Sequence, residues 1–210
     1  MTTTHPLWQP YQELTEEEWA SARVRPDLRS RPVVVVAPDP GWPAAYERVR
    51  AALEAALGDR LLDVAHVGST SVPGLWAKPV IDVDVTVADS GDEAAYVPAL
   101  EAEGFELRLR EPDWQEHRLV TYADPAANVH VFSPGAIEPQ RHLAFARWLA
   151  EHPTELAMYA DLKRQLAVEL ADGDMVHYSN AKAGLVYDIY ERIFAADPAH
   201  IHEPQPRPSS

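Results

Sequence analysis

Residues 81–85 constrain this chain most, because apolar and acidic side chains alternate along them as Ile-Asp-Val-Asp-Val. A repeat of two residues is typical of a β-strand with one apolar and one polar face. Asp82 and Asp84 therefore project from the same face, and the aliphatic residues point into a core. Two adjacent carboxylates repel each other unless a cation joins them. The strand thus predicts a site for Mg²⁺ or Mn²⁺, with both aspartates as metal ligands and catalytic residues.

A glycine-serine turn precedes this strand and adds a second part to the predicted site. Residues 66–71 read His-Val-Gly-Ser-Thr-Ser. Because Gly68 has no Cβ, the backbone N–H groups of this turn can approach a phosphate closely. We therefore expect Gly68, Ser69 and Thr70 to bind phosphate, and Lys78 to face it from just before the acidic strand. This layout is typical of metal-assisted nucleotidyl or phosphoryl transfer.

The order of the remaining patterns predicts an α+β fold, with a mixed β-sheet, flanking helices and a C-terminal helical bundle. We predict strands at 33–36, 61–67, 79–87, 105–110, 116–122 and 128–132. Helices are predicted at 15–23, 42–57 and 92–103, and three longer ones follow residue 137.

The same patterns divide the chain into three parts. Residues 1–31 form an N-terminal extension, and residues 32–196 form the main domain. That domain has an α/β core at 32–135 and a helical part at 136–196. Residues 197–210 contain four prolines and no apolar periodicity, which predicts a disordered tail in which His200 and His202 are solvated.

Composition excludes several classes of function. The formal net charge of −15 argues against a general nucleic-acid partner, because such binding needs lysines and arginines that displace counterions. The absence of cysteine excludes disulfides, thiolate zinc sites and cysteine nucleophiles. No apolar run approaches the ~18 residues of a membrane span, and the N-terminus lacks the layout of a signal peptide. We therefore expect a cytoplasmic protein with no membrane partner.

Two motifs, HVGSTSVPGL at 66–75 and AKPVIDVDV at 77–85, resemble the signature of the GrpB-like proteins, which belong to the nucleotidyltransferase superfamily. The resemblance extends over about residues 33–194. It implies the minimal nucleotidyltransferase core with a C-terminal helical bundle. By position, Gly68 and Ser69 would hold nucleotide phosphates, and Asp82 and Asp84 would bind the catalytic metal. Lys182, in the matching segment YSNAK, is a candidate to hold a nucleotide or acceptor.

The resemblance implies a metal-dependent nucleotidyltransferase that acts on a nucleoside triphosphate and an unknown small-molecule or protein acceptor. A hydrolase would differ only in using water as the acceptor. The competing interpretation is a non-catalytic nucleotide-binding or chaperone-like module, like the related domains fused to some dephospho-CoA kinases.

The sequence departs from the superfamily at a third carboxylate, which nucleotidyltransferases usually supply from a later strand. The matching strand, residues 128–132, has no acidic residue on the face that carries His130. His130 is there a candidate metal ligand or general base. One hairpin register places Glu116 on this face and the other places His117, and the sequence leaves both open. An acid opposite His130 would favour an enzyme, and an apolar residue would favour the non-catalytic module. Lys163 is also a candidate to hold a nucleotide or acceptor, but the favoured interpretation is a surface lysine of an amphipathic helix.

Overall fold

The computed structural model describes residues 3–27, 33–170 and 175–207, and these are built around a five-stranded mixed sheet. The strands are β1 (Asp63–Val67), β2 (Ile81–Thr86), β3 (Glu106–Glu111), β4 (His117–Tyr122) and β5 (Ala127–Phe132). Their order across the sheet is β1-β2-β5-β4-β3. The central strands β2 and β5 run parallel, and the other neighbouring pairs are antiparallel.

Helices cover both faces of this sheet. The aliphatic residues of β2 pack with Val49 and Leu53 of the second helix and with Leu100 of the third. The opposite face, which carries the aspartates, meets the three C-terminal helices. The α-helices are α1 (Glu16–Ala22), α2 (Trp42–Leu57), α3 (Val97–Ala102), α4 (Glu138–Glu151), α5 (Pro153–Glu169) and α6 (Met175–Ala196).

The predicted α+β class is confirmed, and two local predictions are corrected. At the predicted strand 33–36, only Val36 pairs, with Ala77, because Pro38 and Pro40 lack the N–H groups that would extend a ladder. The predicted helix at 92–103 is divided into a short 3₁₀ turn and α3. Pro98 is tolerated only in the first turn of a helix, so α3 begins at Val97.

The chain after α6 differs from the predicted disordered tail. His202 is not solvated: its side chain is 0% exposed, and its Nε2 lies 2.9 Å from Oε2 of Glu191 on α6. The Gln205 N–H donates to the same oxygen at 2.7 Å, and Trp8 Nε1 donates to Oε1 at 2.7 Å. We call these four residues the terminal clasp. A single buried carboxylate on α6 thus holds both ends of the described chain, a long-range contact that local sequence patterns do not reveal.

The predicted boundary between residues 31 and 32 lies outside the described residues. Among the helices of the described ranges, none combines the length and apolarity that crossing a membrane requires.

Candidate functional site

The central strands bring the predicted polar residues together on one face of the sheet. Asp82 pairs with Asn128 across β2 and β5, and Asp84 pairs with His130. Val67, the last residue of β1, pairs with Asp82 on the other side, so the glycine-serine turn begins beside that aspartate.

Gly68 has a backbone conformation, and lies so close to the Asp82 side chain, that only glycine fits at this position. Its φ is +67°, which side chains disfavour. A Cβ built there would overlap the carboxylate of Asp82 and would lie 2.8 Å from Asp82 Cβ. The turn and the acidic strand therefore touch, with no side chain of residue 68 between them.

The residues that follow Gly68 point in different directions. Ser69 lines the cavity beside the turn, and its Oγ accepts a hydrogen bond from Lys163 Nζ at 2.9 Å. Thr70 does not line the cavity; its Oγ1 lies 2.9 Å from His66 Nε2, and the residue is buried. The structure therefore does not support a phosphate contact for the Thr70 side chain.

Lysines surround this cavity. The chain has only three lysines against fifteen arginines, and all three line the same cavity of about 250 Å³: Lys78, Lys163 and Lys182. Lys78 and Lys182 approach the Tyr178 ring, with Nζ 5.2 and 4.9 Å from its centroid. Lys163 is 2% exposed and contacts Tyr159, so its interpretation as a surface lysine is wrong.

The lysines carry their charge in an unfavourable environment. Burial, with the charges of Lys182 and Lys78, lowers the pKa of Lys163 to about 7. Burial also lowers the pKa of Lys182, against the opposing effect of Asp82. A bound anion would raise the pKa of both amines towards its ordinary value, so the cavity is suited to a polyanion.

The two aspartates differ in their partners. Burial raises the pKa of Asp82, although its hydrogen bond from Asn128 Nδ2 at 2.9 Å acts in the opposite direction. Asp84 is 4% exposed, and His142 Nδ1 lies 3.1 and 2.9 Å from its two oxygens. Burial alone would lower the pKa of His142, but its contact with Asp84 and the charge of Glu138 give a net rise.

The donor atoms at this site fit a divalent cation in chemical type. Asp82 and Asp84 offer hard oxygens, and His130 offers a nitrogen. Among the described residues, however, these side chains do not bring three ligand atoms within 4.8 Å of one another. His142 takes the place on Asp84 that a cation would take, and Asp84 does not line the cavity. Metal binding would therefore require His142 to turn away.

The hairpin register decides which side chain accompanies His130. His130 pairs with Leu119 across β4 and β5, which places His117, and not Glu116, on the site face. The residue opposite His130 is thus apolar, the outcome that sequence reasoning associates with a non-catalytic module. His117 nevertheless contacts His130, with His117 Nε2 at 3.0 Å from His130 Nδ1. Burial, followed by the charges of His117 and His142, lowers the pKa of His130 well below its ordinary value.

A second cavity of about 350 Å³ adjoins the first between the sheet and the C-terminal helices. The two share Gly68, Ser69, His142 and Lys182. Its wall is largely apolar, with Phe145 and Leu149 from α4 among the lining residues. A charged cavity beside an apolar one is suited to a ligand with an anionic part and a ring or aliphatic part.

One other group of potential metal ligands occurs among the described residues, formed by His5, Asp197 and His200. Its geometry is explained by hydrogen bonds. His5 Nδ1 accepts the Leu7 N–H at 3.0 Å, so in the neutral ring Nε2 carries the proton and donates to Asp197 Oδ2 at 3.0 Å. A protonated nitrogen has no lone pair to offer a metal ion.

Sequence reasoning missed His142 and favoured a surface position for Lys163, which lies in the site. The chain contains far fewer lysines than arginines, and this bias is the signal that would have drawn attention to Lys163. His142 has no local signal, because its contact with Asp84 joins residues 58 positions apart.

Comparisons with known proteins agree with the motif and the fold. A family model described as GrpB protein matches residues 32–192. A UPF0157 protein of Halalkalibacterium halodurans is 46% identical over 157 residues, covering 75% of this chain and 80% of that protein. The crystal structure of protein GrpB from Enterococcus faecalis aligns with a TM-score of 0.66 and 29% identity, over 77% of this chain and 98% of that one.

A dephospho-CoA kinase of Mycolicibacterium paratuberculosis is 35% identical over 190 residues, covering 78% of this chain but only 46% of the kinase. The resemblance predicted from the two motifs is therefore confirmed, and this chain belongs to the GrpB family.

Proposed function

We propose that this protein binds a nucleoside triphosphate together with Mg²⁺ or Mn²⁺ and transfers its nucleotidyl group to a small-molecule or protein acceptor. The observation that carries the proposal is the placement of every lysine of the chain around one cavity, beside the glycine-serine turn and Asp82. A polyanion with its metal ion complements this distribution of charge.

Each part of the site has a role in this proposal. Ser69 and Lys163 bind phosphate oxygens beside the open backbone of Gly68, and Lys78 and Lys182 add positive charge. Asp82 and Asp84 would hold the metal ion, which would supply positive charge to neutralise the charge that develops on the phosphates. The hydroxyl oxygen of the acceptor attacks the α-phosphorus and loses its proton to solvent. The bond from the α-phosphorus to the oxygen that bridges it to the β-phosphate breaks, and pyrophosphate leaves. The adjoining apolar cavity accommodates the nucleoside.

A second candidate is a non-catalytic nucleotide-binding or chaperone-like module. Two observations favour it: Leu119 lies opposite His130, and His142 covers Asp84. The kinase relative is consistent with it, since the matching segment makes up just under half of that protein.

A thermal-unfolding panel tests binding. The four nucleoside triphosphates, dephospho-CoA and CoA are each added with and without Mg²⁺ or Mn²⁺. A ligand at one hundred times its Kd adds about 2.7 kcal/mol, which raises the Tm by roughly 5–10 °C for a domain of this size. The shift is expected to require metal and to be lost in Asp82→Asn/Asp84→Asn. The matched control Asp59→Asn/Asp161→Asn, which changes the same charge at exposed positions, should keep it.

Catalysis is tested by following pyrophosphate release from the triphosphate that binds, in the presence of fractionated small molecules or proteins. Release that depends on Asp82 supports nucleotidyl transfer. Binding with no release in any fraction favours the non-catalytic module. The absence of a shift with every nucleotide contradicts nucleotidyl transfer and nucleotide binding, and leaves the chaperone-like module as the favoured candidate.

A further inference from the structure

We propose that Ser69 is a nucleophile activated by Lys163, and that the protein hydrolyses carboxylic esters with a small apolar acyl group. This activity goes beyond the proposed function and requires neither a nucleotide nor a metal ion. It is inferred from the position of Ser69 between the two cavities and from the lysine amine at its hydroxyl.

Ser69 lies where a nucleophile can meet a substrate. It begins a 3₁₀ turn just after β1, and Gly68 bends the chain between them with a φ of +67°. A sharp turn at the end of a strand presents a serine hydroxyl at the edge of the sheet. Ser69 is half-buried and lines both the charged and the apolar cavity, so a ligand in either cavity lies beside it.

Lys163 is placed to take the proton of that hydroxyl. Its Nζ lies 2.9 Å from Ser69 Oγ, which is within the range for general-base catalysis, and the residue is 2% exposed. A charged amine at this position donates to Oγ, whereas a neutral amine accepts the Oγ–H and activates the oxygen. Serine–lysine pairs replace the serine–histidine pair in some hydrolases.

The surroundings of Lys163 favour the neutral amine that this role requires. Burial and the positive charges of Lys182 on α6 and of Lys78 before β2 lower its pKa to about 7, against the opposing charge of Asp82 on β2. Tyr159, whose ring centroid lies 4.5 Å from Nζ, stays protonated, because burial raises its pKa to about 12. Near neutral pH, about half of the protein therefore holds the free base.

The adjoining cavity determines the class of substrate. It has a volume of about 350 Å³, and Phe145 and Leu149 are among its apolar lining residues, which suits a short aliphatic or aromatic acyl group. The substrate is uncharged, because an anion would raise the pKa of Lys163 and remove the base. Lys182 lines both cavities, so its positive charge is available to the carbonyl oxygen as that oxygen becomes negative.

The reaction has two steps in which bonds and protons balance. Ser69 Oγ bonds to the ester carbonyl carbon while its proton passes to Lys163 Nζ. The bond from that carbon to the alcohol oxygen then breaks, and the alcohol leaves with the proton from Nζ. In the second step, water attacks the acylated serine and gives a proton to Nζ. The bond between the carbon and Oγ breaks, Oγ recovers the proton, and a carboxylic acid leaves.

Hydrolysis of p-nitrophenyl butyrate by the full chain, with a chelator present and no nucleotide, tests the activity. We expect a rate above background that falls by about a hundredfold or more in Ser69→Ala and in Lys163→Arg, since a guanidinium keeps the charge but does not act as a base. The control Arg164→Lys makes the reverse exchange at the exposed neighbouring position and should keep the rate.

The pH profile supplies a readout that a purely structural role of Lys163 would not move. Only the neutral amine is active, so the wild-type rate should rise with pH and level off above about pH 7. At pH 6 it should be about one tenth of the plateau. A rate that does not change between pH 6 and 8 would contradict the role of Lys163 as the base.

A fluorophosphonate reagent, which reacts with activated serines, identifies the nucleophile in the wild type even if the variants fail to fold. Peptide mass spectrometry should find the adduct on Ser69 and not on Ser179, another serine that lines the apolar cavity. No adduct on Ser69, a requirement for metal, or equal rates in wild type and Ser69→Ala would each overturn the inference.

The outcomes also separate this inference from the proposed function. A metal-dependent nucleotide shift without ester hydrolysis or labelling of Ser69 would overturn the inference and leave the proposed function standing. Hydrolysis and labelling without any nucleotide shift would do the reverse.

Discussion

At the scale of single residues, Gly68 is a position where the structure does not tolerate a side chain. A substitution there adds two costs, the strain of a side chain at φ +67° and the overlap of its Cβ with Asp82. Gly74 has a φ of +80° but nothing within 4 Å of a built Cβ, so it carries the first cost alone.

We therefore predict that Gly68→Ala lowers the free energy of unfolding more than Gly74→Ala, for which strain costs about 1–3 kcal/mol. Gly68→Ala should also displace Asp82 and remove the metal-dependent nucleotide shift, which Gly74→Ala should retain. Denaturant unfolding and the thermal panel measure the two effects. Equal losses of stability would show that the contact with Asp82 is unimportant.

Lys163 makes the stability of the ligand-free protein depend on pH. Its pKa is about 7 in the folded state, well below the value near 10.4 of an unfolded chain. Between these values the unfolded state binds more protons, so stability rises with pH, by up to about 1.4 kcal/mol per pH unit from this group. Below pH 7 the lysine is protonated in both states and the slope disappears.

The corresponding prediction concerns Lys163→Met. The substitution should remove this slope, so the difference in unfolding free energy between wild type and variant should change by about 2 kcal/mol between pH 7 and 9. Arg164→Met, at the exposed neighbouring position, is the matched control and should keep the slope. Unfolding in denaturant at the two pH values measures it. Parallel pH profiles of wild type and Lys163→Met would mean that folding does not lower the pKa of the Lys163 amine.

At the scale of elements, a sequence pattern predicts the structure where only one arrangement of the strand or helix satisfies it. The alternation in β2 determines which face packs against α2 and α3, because a slip of one residue would place both aspartates in that aliphatic core. The sequence does not determine the β4–β5 register, because either choice places some apolar and some polar residues on each face. The register is set by the connection at 123–126, where Tyr122 pairs with Ala127, and this pairing brings His117 to the site.

The helices show the same limit. Periodicity locates α4, α5 and α6, but it does not distinguish a lysine that reaches solvent from one that turns into a cavity. Lys163 and His142 enter the site because α5 and α4 pack across the acidic face of the sheet, and that packing is a property of the tertiary structure.

At the scale of the whole molecule, the terminal clasp joins both ends of the described chain to α6 through Glu191. Three donors converge on this carboxylate: Trp8 Nε1, His202 Nε2 and the Gln205 N–H. Burial raises the pKa of Glu191, but these hydrogen bonds act against it and the net shift is downward. The clasp is therefore stable above the pKa of about 4.3 that an unfolded glutamate has, and it is lost as pH falls through the lower folded value.

We predict that Glu191→Gln loosens both terminal segments and costs about 1–3 kcal/mol, because an amide has one acceptor oxygen and must leave a buried donor unsatisfied. Hydrogen exchange should increase at residues 3–14 and 198–207 together. The loss of stability that the wild type shows as pH falls through the folded pKa of Glu191 should be absent from the variant. Glu151→Gln, at the exposed end of α4, is the control and should change neither segment.

The N-terminal segment that the clasp holds also contacts α6 near the site. Asn180, two residues before Lys182 on α6, accepts a hydrogen bond from the Leu14 N–H and donates one to the Leu14 carbonyl. If the N-terminal segment stabilises the position of α6, Glu191→Gln should weaken nucleotide binding as well as increase exchange. Calorimetry with the nucleotide found in the thermal panel measures this second effect. Faster exchange with unchanged affinity would show that the clasp holds the chain ends and leaves the cavity independent of them. Exchange that increases in only one segment would contradict the role of Glu191 as their common anchor.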